Sequence, residues 1–119
     1  SYNQEDYVRD AIEGAFAQTY APLEIVMSDD ASSDRTFAIM EEMAAAYTGP
    51  HRIILNRNEK NLHITRHVDK VMTLCSGELI VENAADDVSV PHRVERMVEH
   101  WLASGRRAKA IHTARRRRP

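Results

Sequence analysis

Short apolar segments alternate with amphipathic helical segments along the chain, and this alternation constrains the fold more than any other sequence feature. Strand-like runs are predicted at residues 23–28, 52–56, 78–83 and 108–113. Apolar residues at helical spacing fill the intervals between these runs. Helices that connect successive strands favour right-handed crossovers, because only that hand packs the helix back onto the sheet. The pattern therefore predicts an α/β domain with a mostly parallel sheet flanked by helices.

Each predicted helix carries one apolar stripe and recognisable end signals. Asn3 is expected to cap the first helix, and Gly77 and Gly105 are expected to end the third and the fourth. Pro91 is expected in the first turn of the fourth helix, where its missing N–H costs no hydrogen bond. In chain order, the stripes are Val8, Ile12, Ala15, Phe16 and Thr19; Phe37, Met40, Met43, Ala44 and Tyr47; Ile64, Val68, Val71, Met72 and Cys75; and Val94, Met97, Val98, Trp101 and Leu102.

Composition limits the size and class of the protein. The chain has 119 residues, of which 43% are hydrophobic and 29% charged, and we assign residues 1–119 to a single domain. Its net charge of −2 argues against a nucleic-acid-binding surface, and no apolar run reaches the roughly 20 residues of a membrane span. Cys75 is the single cysteine, which excludes an intrachain disulfide and indicates a reducing, cytoplasmic location. The ends of the sequence lead us to expect a fragment of a longer protein.

Two pairs of adjacent aspartates each follow a predicted strand. Asp29 and Asp30 end the first strand, and Asp86 and Asp87 follow the third. In an open α/β sheet, ligands bind at the carboxyl ends of the strands, so both pairs are expected at the mouth of a site. Adjacent carboxylates repel one another and need a cation or hydrogen-bond donors nearby to stay ionised. The pattern predicts a site for a charged or polyhydroxylated ligand, with a divalent metal.

An ordered series of short motifs extends over most of the chain. The motifs are SYN at 1–3, AQTY at 17–20, EIVMSDDASSD at 24–34, NEKNL at 58–62, SGELI at 76–80 and ADDVSVP at 85–91. The series resembles the nucleotide-sugar-binding part of family 2 glycosyltransferases, which have the GT-A fold. The resemblance implies a Rossmann-like domain that binds a nucleoside diphosphate sugar, and transfer of the sugar with inversion. It also implies that the family's first strand lies just before Ser1 and is missing here.

The resemblance assigns nucleotide-binding roles to Tyr2, Asp29, Asp30, Asn61 and Arg66. Tyr2 falls where the family contacts the nucleotide base, and Asp30 matches the acid that hydrogen-bonds that base. An ionised carboxylate is a pure acceptor, which suits the N3–H of uracil or thymine. Asp29 is expected to support the same turn, and Arg66 to contact a donor phosphate. The expected donor is therefore a UDP- or dTDP-sugar.

The second acid pair matches the metal motif of the family. Asp86 is implied to bind Mg²⁺ or Mn²⁺, with Asp87 as an adjacent acid, because these ions take one or two carboxylates plus phosphate oxygens. Two positions depart from the family pattern. Ala84 replaces an acid of the metal motif, and His63 replaces a glycine near the donor site. The catalytic base is expected beyond residue 119, so this chain alone is expected not to turn over.

The same acids also have a purely structural interpretation. Asp29, Asp30 and Asp34 are suited to cap a helix that begins near Ser32 or Ser33. The second acid pair equally suits the first turn of the last helix, where the macrodipole favours negative charge. These interpretations compete with the ligand-binding ones at every acidic position.

Two basic patterns also have competing interpretations. His63 and His67 lie four residues apart, a spacing that can place two imidazoles on a metal, but no acid at the required position supports that site. The basic cluster of Arg106, Arg107, Lys109 and the arginine run at 115–118 suits acidic lipid head groups or a diphosphate or, more simply, a solvated tail.

Taken together, the sequence predicts a metal-assisted inverting glycosyltransferase of hexosyl or rhamnosyl type that acts in cell-surface polysaccharide biosynthesis. Its expected partners are a nucleoside diphosphate sugar and a glycan or lipid-linked acceptor, without nucleic acid, at the inner face of the membrane. One alternative is a non-catalytic nucleotide-binding or assembly module of the same fold. The other is a receiver-like signalling domain, whose acid pair follows the first strand, whereas here a full helix precedes Leu23.

Overall fold

The computed structural model describes residues 1–106 of the chain. Six elements follow one another: α1 (Val8–Phe16), β1 (Glu24–Asp29), α2 (Thr36–Ala46), β2 (Arg52–Arg57), α3 (His63–Leu74) and α4 (Arg93–Ala103). This order confirms the predicted alternation as far as the third helix. None of the helices between residues 1 and 106 combines the length and apolar composition needed to cross a membrane. The predicted strand at 108–113 and the arginine run at 115–118 lie outside the described residues.

The sheet confirms the predicted parallel pairing. β1 and β2 run parallel, in a register that starts at Glu24 opposite Arg52 and ends at Asp29 opposite Arg57. α2 forms the crossover between them, as a parallel pair requires. Both strands therefore end at the same edge, and the loops that follow β1 and β2 lie side by side.

The other edge of β1 is contacted by Ser1. The Ser1 nitrogen donates to the Ser28 carbonyl at 2.7 Å, and the Ser1 carbonyl accepts from the Asp30 N–H at 2.8 Å. This is the bonding pattern of a parallel neighbour on the edge opposite β2. Ser1 thereby fixes residues 1–5 beside the carboxyl end of β1. The strand expected before Ser1 stays a prediction.

The two faces of the sheet differ in character. Met27 points into the apolar core, and the next residue, Ser28, points to the opposite face towards α3. The core is formed mainly between α1, α2 and the sheet, and consists of Val8, Ile12, Met27 and Met40 with the partly buried Phe16, Ile25, Phe37, Ile39, Met43, Ala44, Ile53 and Ala85. The α3 face of β1 carries polar contacts instead.

The turn after α1 holds the start of α4. Gln18 is only 6% exposed, and its amide nitrogen donates to the carbonyls of Gly14 at 3.0 Å and Val90 at 2.8 Å. Its amide oxygen accepts from the Val94 N–H at 3.0 Å. Both N–H donors and the oxygen of this buried amide are thus bonded near the entry to α4. This gives the AQTY motif a structural role.

One predicted strand is wrong. Residues 78–83 form no strand, although their apolar composition predicts one. A segment becomes a strand only where its backbone N–H and C=O groups bond to a neighbouring strand. Within residues 1–106, β1 and β2 pair with each other, and nothing pairs with residues 78–83. The segment is largely exposed, and Ile80 retains 39% of its surface.

Smaller corrections concern the helix starts and the α3 stripe. Asn3 does not cap α1, which begins at Val8, because its side chain bonds to the loop after β1 instead. Pro91 precedes α4 rather than lying in its first turn. On α3, His67 is the buried residue, while Ile64 on the predicted apolar stripe is 83% exposed. The buried α3 side chain that contacts β1 is thus a polar one.

Candidate functional site

Asp29 organises the turn at the end of β1. Its side chain is fully buried, and one carboxyl oxygen accepts from the Ser32 N–H at 2.9 Å. The other oxygen accepts from the hydroxyl groups of Ser32 and Ser1. These bonds close the turn around Ala31, whose φ of 59° lies in the left-handed region. Asp29 supports the turn as expected, and its assignment to nucleotide binding stays a prediction.

Residues 1–5 are joined to this turn by reciprocal hydrogen bonds. The Asn3 N–H donates to the Ser32 hydroxyl at 2.9 Å, and the Asn3 side-chain oxygen accepts from the Ser33 N–H at 3.0 Å. Asn3 adopts a φ of 49°, which the two bonds hold in place. The backbone of Tyr2 therefore lies beside the turn that carries the acid pair, and its side chain remains 47% exposed. Its position suits the predicted contact with a nucleotide base.

Asp34 starts α2. Its carboxylate accepts from the N–H and the hydroxyl of Thr36, the N–H bond being 2.9 Å long. Burial acts to raise the pKa of Asp34, but these hydrogen bonds outweigh it and the net pKa is lowered. Asp34 therefore bonds to the first N–H of α2, while Arg35 occupies the N-cap position and makes no side-chain capping bond. α2 begins at Thr36 rather than near Ser32.

Asp30 is buried but held ionised by donors from the neighbouring loop. It is 3% exposed, and its Oδ1 accepts from the side-chain nitrogen of Asn58 at 2.8 Å and the Leu62 N–H at 2.7 Å. Burial acts to raise the pKa of Asp30, but these bonds, with a smaller contribution from His67, outweigh it and the net pKa is lowered. The result is a fixed acceptor at the carboxyl end of β1.

A polar cluster lies between Asp30 and α3. The side-chain oxygen of Asn58 accepts from the Lys70 ammonium at 2.8 Å and from the Asn56 amide at 3.2 Å. The Asn56 amide also donates to the Ser28 hydroxyl at 2.9 Å, and that hydroxyl lies 2.7 Å from His67 Nε2. We call Ser28, Asn56, Asn58, His67 and Lys70 the polar cluster.

The polar cluster was not predicted from the sequence, although one signal for it was available. Ser28 and Asn56 lie directly opposite each other in the register of β1 and β2. Polar residues at one register position of two otherwise apolar strands indicate a polar contact on that face. His67 and Lys70, three residues apart on α3, form the helical side of the same contact.

His67 belongs to the polar cluster rather than to a metal site. Burial is the main cause that lowers its pKa, and the positive charges of the Ser1 amino group and, to a smaller extent, Lys70 add to the effect, against the opposing charges of Asp30 and Asp29. The imidazole is therefore neutral at neutral pH, and its Nε2 is bonded to Ser28. His63 is exposed at the start of α3, so the two-histidine metal interpretation has no support.

The start of α3 forms an open groove beside Asp30. Residues 60–66 line a volume of about 500 Å³ there. The Asn61 side-chain oxygen accepts from the His63 N–H at 2.7 Å, and His63 has a φ of 64°, a left-handed conformation that glycine adopts more readily than other residues. Arg66 is exposed on this groove. Asn61 and Arg66 are thus close in the chain to the Asp30 contacts, and their nucleotide-binding roles stay predictions.

Asp86 and Asp87 lie in an irregular loop rather than at a strand end. Asp86 is exposed and Asp87 is half-buried. The Asp87 N–H donates to the Ala84 carbonyl at 3.0 Å, which forms a tight turn. Residues 1–106 contain no group of three or more His, Cys, Asp or Glu side chains arranged around a common metal position. The exposed carboxylate nevertheless fits Mg²⁺ or Mn²⁺, which accept one or two protein carboxylates and complete their shell with ligand oxygens.

Comparison with known proteins gives a family match. A sequence model described as Glycosyl transferase family 2 matches residues 1–115. The putative glycosyltransferase EpsE of Bacillus subtilis is 33% identical over 97 residues, which are 82% of this chain and 34% of EpsE. This chain spans about a third of the length of that relative.

Solved structures share the fold. The TarS protein of S. aureus, in complex with UDP-GlcNAc, matches with a TM-score of 0.76 at 19% identity, over 87% of this chain and 29% of that one. The mannosyltransferase PcManGT of Pyrobaculum calidifontis, in complex with GDP-Man and Mn²⁺, matches with a TM-score of 0.77 at 21% identity. The match covers 87% of this chain and 30% of that one. At these identities the likeness shows the fold alone.

Proposed function

The chain belongs to glycosyl transferase family 2, and we propose from that membership that it is the donor-binding part of an inverting glycosyltransferase. The proposed donor is a UDP- or dTDP-sugar. The observation that carries this proposal is Asp30, a buried carboxylate kept ionised at the carboxyl end of β1. Family membership sets aside the receiver-like alternative.

Asp30 is proposed to recognise the base. A carboxylate offers about four acceptor positions, so donors from Asn58 and Leu62 leave capacity for one more N–H. The N3–H of uracil or thymine is such a donor. Tyr2 would cover the ring, because an exposed aromatic side chain beside the acid offers a flat apolar surface. Asn61 and Arg66 would contact the ribose or the diphosphate from the groove at the start of α3.

Asp86 is proposed to hold the divalent metal together with the diphosphate oxygens, with Asp87 beside it. When bound, the metal supplies positive charge that stabilises the departing diphosphate. Ala84 leaves this motif one acid short of the family pattern, so the ligand's own oxygens would complete more of the metal's coordination shell.

The transfer itself would need a residue from outside this chain. In the proposed step, an acceptor hydroxyl oxygen bonds to the anomeric carbon while the bond from that carbon to the diphosphate breaks. The hydroxyl proton passes to a general base, which we place beyond residue 119. The chain alone is then expected to bind donor without turnover. A glycan or lipid-linked acceptor at the inner face of the membrane is proposed on the family resemblance.

The second candidate is a non-catalytic nucleotide-binding module of the same fold. Ala84 favours it, because a missing acid in the metal motif weakens the case for catalysis. Turnover by the longer protein that contains this chain would separate the two. Hydrolysis or transfer of the donor sugar supports the enzyme, and donor binding without either reaction supports the module.

Calorimetric titration with UDP and CDP tests the proposed base recognition. Cytosine presents a lone pair at N3 where uracil presents N–H, so Asp30 would bond to uracil and repel cytosine. We expect UDP to bind at least about tenfold more tightly than CDP, the scale of one charge-assisted hydrogen bond. GDP serves as the third ligand, because guanine N1–H offers the same kind of donor. Equal affinity for all three would contradict the proposal.

A further inference from the structure

We propose that Lys70 is a positioning residue for base recognition, which acts through Asn58 to hold the Asp30 carboxylate towards the base. The inference rests on the proposed function, because it gives Asp30 the base contact. It adds a residue on α3 that touches neither the base nor Asp30 itself. Lys70 is half-buried, whereas Asn58 and Asp30 are each 3% exposed.

The geometry forms an unbroken line of hydrogen bonds. Lys70 Nζ lies 2.8 Å from Asn58 Oδ1, and Asn58 Nδ2 lies 2.8 Å from Asp30 Oδ1. The backbone of Asn58 is fixed as well, since its N–H donates to the Asp29 carbonyl at 2.9 Å. The remaining freedom of Asn58 is therefore rotation of its side chain.

Lys70 restricts that rotation because an ammonium group can only donate. The Asn58 oxygen must face Lys70, and its nitrogen must then face Asp30. A reversed amide would bring its NH₂ group against the ammonium and its oxygen against the carboxylate. Asn56 adds a second donor to the same oxygen at 3.2 Å. Each of these donors raises the free energy of the reversed amide.

The charge of Lys70 also strengthens the bond to Asp30. Bonds from charged donors are stronger than bonds between neutral groups, and successive bonds polarise one another. Among the ion pairs within residues 1–106, none includes Lys70. Its described hydrogen bond goes to the neutral Asn58 amide. The ammonium is thus aimed at the group that orients Asp30.

The placement of Lys70 on α3 supports the same role. Lys70 and His67 are three residues apart on one helix face, and His67 contacts Ser28 of β1. Ile64 and Met72 on the same helix are exposed, at 83% and 40%. His67 and Lys70 thus both contact side chains at the carboxyl end of the sheet. Through Asn58, Lys70 therefore links the position of α3 to the orientation of the Asp30 carboxylate.

The test compares UDP with 3-methyl-UDP, in which a methyl group replaces the N3 hydrogen. Affinities are measured by calorimetry for the parent chain, Lys70→Met and Lys70→Arg. We expect the parent to prefer UDP by about tenfold or more. Lys70→Met is expected to reduce this preference at least about threefold, because the carboxylate loses its fixed orientation. Lys70→Arg keeps a charged donor and is expected to retain most of the preference for UDP.

Two controls separate a positioning role from loss of charge or structure. Arg96→Met removes one positive charge from an exposed site on α4 and is expected to leave the preference unchanged. If Lys70 has only a structural role, its replacement would weaken the binding of UDP and of 3-methyl-UDP equally and leave the ratio of the two affinities unchanged. That result would overturn the inference. If Lys70→Met does not fold, Lys70→Gln carries the test, and a parent-like ratio in that variant would count against the inference.

Asp30→Ala distinguishes failure of the inference from failure of the proposed function. In that variant the preference for UDP is expected to disappear. If Asp30→Ala keeps the preference, or the parent has none, the proposed base contact is wrong and the inference falls with it. If Asp30→Ala loses the preference and Lys70→Met keeps it, the base contact holds and the inference alone is wrong.

Discussion

The two acid pairs of this chain look alike in sequence and differ completely in structure. Asp29 and Asp30 are both buried, and donors from three separate segments surround them. Asp86 is exposed in an irregular loop, and no strand adjoins that loop within residues 1–106. Adjacent acids after an apolar run thus form a fixed site only where the run is paired in a sheet and the next loop supplies donors. In the proposed site, the nucleotide-binding part at Asp29 and Asp30 is already formed without ligand. The metal-binding part at Asp86 would need oxygen atoms of the bound ligand to complete the coordination of the metal.

The largest expected effect is on stability, and it separates the two pairs. Asp29→Ala removes the acceptor of the Ser32 N–H and leaves buried donors without partners, so we expect a loss of about 3 kcal/mol in the free energy of unfolding. Asp86→Ala changes an exposed loop and is expected to stay within about 0.5 kcal/mol. Urea unfolding of both variants measures the difference. Similar losses in both would show that the second pair is also structural.

Asp30→Ala is expected to weaken binding of the nucleotide itself. Loss of one charge-assisted hydrogen bond to the base corresponds to about 1–3 kcal/mol in the binding free energy of UDP. Because the contact is to the base, the loss is expected to be the same with Mn²⁺ and with chelator. Calorimetric titration under both conditions checks this. Unchanged affinity would remove Asp30 from the site.

Asp86→Ala is expected to remove the metal dependence of donor binding while the fold is retained. If Mn²⁺ strengthens binding of the nucleotide sugar by about tenfold in the parent, the variant should lose about 1.4 kcal/mol in the presence of Mn²⁺ and nothing in chelator. Asp10→Ala, at an exposed site on α1, is the matched control. Parent-like Mn²⁺ dependence in Asp86→Ala would refute the metal role.

The smallest expected effect is a pH dependence of the free energy of unfolding. It arises from His67, which lies near the first acid pair, and from Asp30. Burial lowers the pKa of His67, so the unfolded chain binds a proton more readily than the folded one. Stability is then full above the ordinary histidine pKa of about 6.5 and falls as the pH drops below it. The lowered pKa of Asp30 adds a second loss at lower pH, as the pH falls below the ordinary aspartate value of about 3.9.

Unfolding curves at several pH values between 7.5 and 5 would measure the His67 contribution. His67→Gln is expected to flatten the dependence below pH 6.5, since the titrating group is gone. A variant as pH-sensitive as the parent would assign the effect to another group.

The sequence predicted the elements that local pattern determines. The strands at 24–29 and 52–57, the helices after them and the stop near Gly105, which has a φ of 69°, follow from apolar spacing and end signals. The bond from Asp34 to the first N–H of α2 also follows from its residue type, because a short acidic side chain readily accepts from backbone N–H groups two residues on. These features depend on neighbours in the chain, which a sequence displays directly.

The errors occur where distant segments decide the outcome. Residues 78–83 have the composition of a strand but no described neighbour to pair with, and composition cannot show that. The Asn3 side chain bonds to Ser33 across 30 positions instead of capping the helix that follows it. The polar cluster joins β1, β2 and α3, and the register that aligns Ser28 with Asn56 was not used to find it.

The most direct test of a preformed nucleotide side is the melting temperature of the chain with UDP, with and without Mn²⁺. A ligand at about 100 times its Kd adds about 2.7 kcal/mol of stability, which raises the melting temperature of a domain this size by several degrees. We predict a clear increase with UDP in chelator and a further increase with a UDP-sugar and Mn²⁺. An unchanged melting temperature with UDP under both conditions would contradict the account.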